Sequence, residues 1–79
     1  MEREKLSFMS NEQIKDSFLS KRVHVILNDG HEEEFVVDKL MLASYTNDTS
    51  YSAVGFISKS GKSYCFLGIK EIYVIDYLA

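Results

Sequence analysis

The sequence predicts a mainly β chain: a short N-terminal α-helix followed by a five-stranded, strongly bent antiparallel small barrel. Three observations predict it. After residue 21, apolar stretches of strand length alternate with the turn clusters Asn28-Asp29-Gly30, Asn47-Asp48-Thr49-Ser50 and Lys59-Ser60-Gly61-Lys62, the rhythm of short strands joined by tight connections. A helix-start signature, Ser10 to Ile14, stands before the first of these strands. Gly55 interrupts a strand-like run, and Leu40-Met41-Leu42-Ala43 is apolar on both faces, as a curved strand with covered faces would be.

The elements follow in order. Residues 1–9 show no periodicity and are expected to form a flexible N-terminus, with Leu6 and Phe8 as the side chains able to dock. Residues 10–20 form the capping helix. Ser10 can accept from the amide of Gln13 while Gln13 reaches back to Ser10, and Met9 and Ile14 stand at the two positions of a hydrophobic staple. Ile14, Phe18 and Leu19 give the helix one narrow apolar stripe. So short a helix is not stable alone, so it is expected to cover an open end or face of the barrel.

The barrel is assigned to residues 22–78. Arg22 to Leu27 is the first strand, with Val23, Val25 and Leu27 on one face and His24 and Ile26 on the other. Asp29-Gly30 supplies the residue tolerant of positive φ that a tight hairpin needs. The second strand begins near Glu32 and is expected to be long and curved, changing partners at Asp38-Lys39; a short helical turn over the apolar run is the alternative. Tyr51 to Ser58 is the third, with Val54 and Phe56 facing one way and Tyr51, Ala53 and Ile57 the other. Ser60-Gly61 reads as a two-residue connection to a strand over Ser63 to Leu67, which Gly68 ends. Glu71 to Leu78 is the last, with Ile72 and Val74 opposite Tyr73, Ile75 and Tyr77.

Composition narrows the function. A chain of 79 residues is one domain and buries a modest share of its surface. Cys65 is the only cysteine, which excludes an intrachain disulfide, and with His24 and His31 it gives neither the number nor the spacing of a structural zinc site. Homo-oligomerisation or a bound partner is therefore the expected source of added stability. The formal net charge of -3 gives no long-range attraction to nucleic acid or to anionic membranes. No apolar run approaches membrane-spanning length. A free cysteine and a charged, leaderless start, Met1-Glu2-Arg3-Glu4-Lys5, point to the cytoplasm.

Val23-His24-Val25-Ile26-Leu27-Asn28-Asp29-Gly30 resembles the opening of the first Sm motif. Phe66-Leu67-Gly68-Ile69-Lys70-Glu71-Ile72-Tyr73-Val74-Ile75 is similar to the second, in which a glycine joins two short strands. The chain thus resembles the Sm-like fold; SH3-like barrels share the same strand grammar, and the sequence fits both. The resemblance implies an RNA-binding ring with a uracil pocket. The pocket residues depart from the pattern: Leu67 stands where the family has an arginine, and Asn47 is the nearest candidate for the loop residue. A leucine cannot hydrogen-bond a base or a phosphate.

Catalytic chemistry has little to stand on. Cys65, between Tyr64 and Phe66, reads as a small core residue, and His24 and His31 as surface or rim histidines. The four glycines are scattered and form no phosphate loop. No catalytic residue, metal ligand or cofactor is expected. Asn47-Asp48-Thr49 has the form of a glycosylation sequon but reads as a polar loop. Tyrosine supplies 5 of the 79 residues and offers broad contact area at low entropic cost.

The expected function is a small non-catalytic module, an adaptor or inhibitor of bacterial or phage type, that docks on a protein partner. Its expected contacts are Tyr45, Asn47 and Tyr51 around one loop, the acidic run Glu32, Glu33 and Glu34, and Tyr73. The acidic run suits a partner with a basic surface. The alternative is an Sm-like oligomer that binds RNA, which the scarcity of nearby lysines disfavours; a thiol enzyme or redox sensor at Cys65 is the third reading.

Overall fold

The computed structural model describes residues 3–6, 8–44 and 51–75. The chain runs α1 (Arg3–Leu6), α2 (Asn11–Phe18), β1 (Arg22–Leu27), β2 (Glu32–Ser44), β3 (Tyr51–Ser58), β4 (Ser63–Cys65), a 3-10 turn (Phe66–Gly68) and β5 (Ile69–Val74). The strands form one antiparallel sheet in the order β4-β3-β2-β1-β5. The mainly β class with a preceding helix is as the sequence predicts. The sheet is strongly bent but does not close into a barrel: β4 and β5 are its two edges.

The bend is made by β2. Its first half pairs with β1, from Ile26↔Glu32 to Arg22↔Val36, and its second half pairs with β3, from Val37↔Ser58 to Ser44↔Tyr51. The register slips at Asp38, an extra residue between the two halves, and an extra residue in one strand of a pair bends that strand. The partner change at Asp38-Lys39 expected from the sequence is found there, and the apolar run is strand, not helix. A second slip leaves Val54 unpaired on β3. It breaks the expected alternation, so that Ala53 packs on the core along with Phe56.

Both short hairpins are built alike. In the first, the Gly30 N–H donates to the Leu27 carbonyl (2.9 Å) and the Leu27 N–H to the His31 carbonyl (2.7 Å). In the second, Gly61 donates to Ser58 (2.9 Å) and Ser58 to Lys62 (2.8 Å). The two glycines have φ of 93° and 92°, the left-handed position that closes a three-residue connection. The second connection is thus one residue longer than the sequence suggested.

The core lies in the hollow of the bend. Val23, Val25, Phe35, Val37, Phe56, Tyr64, Ile69 and Ile72 from the sheet meet Ile14 and Phe18 of α2 and Leu6 of α1. Phe18 and Phe66 each meet Phe56 edge-on, at 5.5 and 4.9 Å between ring centres, a favoured geometry for aromatic pairs. The capping helix forms with both reciprocal bonds: Gln13 N–H to Ser10 Oγ (3.2 Å) and Ser10 N–H to Gln13 Oε1 (2.8 Å).

Four expectations need correction. Of the two N-terminal side chains expected to dock, Leu6, on the helical turn α1, is buried and Phe8 is 87% exposed; the turn's four residues are too few to show a helical period. The fourth strand stops at Cys65 because Phe66 turns inward on the 3-10 turn to reach Phe56. Cys65 is exposed rather than a core residue, because it lies on the face of β4 opposite to that of the buried Tyr64. The last strand begins at Ile69, two residues earlier than predicted; Tyr77 and Leu78 lie outside the described residues.

Candidate interaction surface

The period-two alternation of strands divides the acidic run. Glu33 shares a face with Phe35 and Val37 and turns toward the hollow, where its carboxylate accepts from Lys62 Nζ (2.8 Å) and from the Tyr64 hydroxyl (3.0 Å). Tyr64 stacks flat on Phe35, with ring centres 4.0 Å apart and planes 3° from parallel. Lys62 Nζ also lies 5.3 Å from the centre of the Tyr64 ring, within cation–π range. This cluster ties the β3–β4 hairpin to the start of β2 across the bend. The bonds from Lys62 and then Tyr64 lower the Glu33 pKa, and Glu33 raises that of Lys62. The Tyr64 hydroxyl is raised by burial and then by Glu33. Tyr64 is structural, as expected, and Glu33 is tied into the same cluster, on the face opposite to that of Glu32 and Glu34.

Glu32 and Glu34 point the other way, onto the convex outer face. There His24 of β1 stands directly opposite Glu34 and one step from Glu32. Its Nε2 lies 2.8 Å from Glu32 Oε1 and its Nδ1 3.1 Å from Glu34 Oε2. On its other side His24 faces Tyr73 of β5, whose hydroxyl donates to Glu71 Oε1 (2.9 Å). The face therefore carries two rows across β2, β1 and β5: Glu34–His24–Tyr73 and Glu32–Ile26–Glu71. Hydrogen bonds from His24 to Glu32, then to Glu34, raise its pKa above the ordinary 6.5.

The expected contact residues do not converge on one place. Glu32, Glu34 and Tyr73 are brought together on this face. Tyr51 is 59% exposed but lies at the far end of β3, beside exposed Leu42. Its carbonyl accepts from Asn11 Nδ2 (2.8 Å), and Asn11 Oδ1 accepts from the Ala53 N–H (3.0 Å). The Asn11 amide thus occupies the edge of β3 beyond the end of β4. Tyr45 and Asn47 lie outside the described residues. The sequence reading missed His24 and Glu71 as members of the face; the alternation that placed His24 opposite Val23 and Val25 was the available signal.

The other histidine is spent on a turn. His31 N–H donates to Asp29 Oδ1 (3.0 Å) and its Nδ1 lies 2.8 Å from Asp29 Oδ2. The pair raises the His31 pKa and lowers that of Asp29, chiefly through the His31 backbone N–H. Among the described residues, no group of His, Cys, Asp and Glu is arranged to hold a metal ion, and no helix is long and apolar enough to cross a membrane. Comparison with protein-family models, with curated proteins and with solved structures returns no match.

Proposed function

We propose that this chain is a small, non-catalytic, cytoplasmic interaction module, an adaptor or inhibitor of the kind bacteria and phages encode, that docks on a protein partner through the outer face of β2, β1 and β5. The observation that carries the proposal is the composition of that face. Glu32, Glu34 and Glu71 surround His24, Ile26 and the half-exposed Tyr73 on a firmly paired three-stranded surface. Carboxylates rimming an aromatic and an aliphatic side chain suit a basic partner segment, with charge setting encounter and register and the apolar groups supplying contact area. An extended segment rich in lysine and arginine is the chemistry this face recognises.

The test uses a short Lys/Arg-rich peptide as probe. Glu32→Gln with Glu34→Gln weakens its binding several-fold at low salt and much less at high salt, because exposed charges are screened beyond a Debye length. Equal affinity of wild type and double variant at low salt contradicts the proposal.

Kinship with Sm-like or SH3-like barrels belongs to the same proposal. The bent five-stranded antiparallel sheet with a capped helix on its hollow supports it. The RNA reading is weaker: Leu67, at the position of the arginine in the Sm pattern, is 80% exposed on the 3-10 turn and offers a base no hydrogen bond. An Sm-like RNA binder is a hexamer or heptamer that holds oligouridine. Monomer or dimer scattering without oligouridine binding removes that reading and leaves the docking module.

A further inference from the structure

His24 is the one side chain on the outer face with a carboxylate at each ring nitrogen. An ionised carboxylate has acceptors and no donor, and a neutral imidazole has one N–H. Contacts of 2.8 Å to Glu32 and 3.1 Å to Glu34 are both hydrogen bonds only when both nitrogens carry a proton. With one proton gone, one nitrogen presents a lone pair to a carboxylate at hydrogen-bond distance, and that carboxylate must turn away.

We propose that His24 is a proton-operated latch: as imidazolium it ties Glu32 and Glu34 together, and on deprotonation it holds one and releases the other. The released carboxylate is free to swing into solvent, since Glu32 and Glu34 are both more than half exposed. The net charge of the trio changes from one negative to two. The other groups that face His24 set the background. Tyr73 stands opposite on β5 with its hydroxyl on Glu71, and on β1 Arg22 and Ile26 flank His24 on the same face. Arg22 and Glu71 contribute one formal charge of each sign, so the balance of the face follows His24.

The sign of the stability effect follows. The folded-state pKa of His24 is raised, so its bonds contribute fully below the unfolded value of about 6.5 and are lost as pH rises through the folded midpoint. The charge of the face moves the other way and becomes more negative over the same interval. Its effect on docking rests on the function proposed above: a basic segment is held more tightly above the midpoint than below it.

Residue-resolved NMR of the His24 ring against pH tests the latch. The expected midpoint lies above 6.5, with imidazolium shifts at both ring nitrogens below it and the Glu32 and Glu34 carboxyl carbons following the same midpoint. Glu32→Gln and Glu34→Gln each move the midpoint down. A midpoint at or below 6.5, or one that neither variant moves, overturns the latch. Titration of the Lys/Arg-rich peptide over the same range separates the two readings. Affinity that rises through the His24 midpoint in wild type, and not in His24→Gln, supports control of docking. A flat affinity overturns that control. Absence of any peptide binding overturns the docking face, and the ring titration still decides the latch.

Discussion

A methyl group at Gly55 would press on the Tyr64 carbonyl and lie 2.7 Å from Met41 Cε and 3.1 Å from Cys65 Cα. Met41 can yield, being the end of a flexible side chain, but the backbone of β4 cannot without giving up its pairing with β3. Gly55→Ala is therefore expected to destabilise the fold by about 1–3 kcal/mol, the usual range for overpacking, read as a lower urea midpoint. An unchanged midpoint would mean that β4 is not held against β3 as described. That loss is a sizeable share of the roughly 5–15 kcal/mol that holds a small domain together. Sequence reasoning flagged this glycine correctly, because a glycine inside a strand pattern marks a bulge or a close approach. It misjudged Cys65, which stands directly opposite Gly55 on β4. Apolar neighbours in sequence suggested a core position, but neighbours on a strand point to opposite faces, and here Tyr64 takes the hollow and leaves Cys65 on the outer side.

At the scale of elements, the helix and the sheet meet through Asn11 as well as through Ile14 and Phe18. The Asn11 amide both donates to the Tyr51 carbonyl and accepts from the Ala53 N–H, in the place a neighbouring strand would take. Asn11→Ala is expected to cost about 1–2 kcal/mol, two hydrogen bonds at roughly 1 kcal/mol each, and to speed hydrogen exchange at the Ala53 amide. Stability lost without faster exchange at Ala53 would place the effect in the helix start alone. This contact joins residues 42 apart in sequence, and no local pattern announces it. The long bent strand β2 was legible because two kinds of local signal agreed: alternation up to Val37, then apolar residues on both faces. The capping box was legible because its chemistry is complete within Ser10 to Gln13. The helical turn at Arg3–Leu6 was not, since the turn, with its buried Leu6, packs against β5 and the 3-10 turn from the other end of the chain.

For the whole molecule, the bend gives the sheet two unlike sides. The hollow takes the aromatic core and spends Glu33 on Lys62 and Tyr64; the convex side gathers Glu32, Glu34, His24, Tyr73 and Glu71. Three consecutive glutamates look like one feature in a sequence and become two in a strand, because neighbours point to opposite faces. Which of them reached solvent depended on where β4 returns, and that is a property of the bend as a whole. The central claim is that the convex face is the working surface. The most direct measurement is an amide-resolved NMR titration of the whole chain with the Lys/Arg-rich peptide at low salt. The account predicts that shifts concentrate at Glu32, Glu34, His24, Glu71 and Tyr73. Shifts confined to the far hairpin around Leu42 and Tyr51, or to the exposed Leu67 on the 3-10 turn, would contradict it.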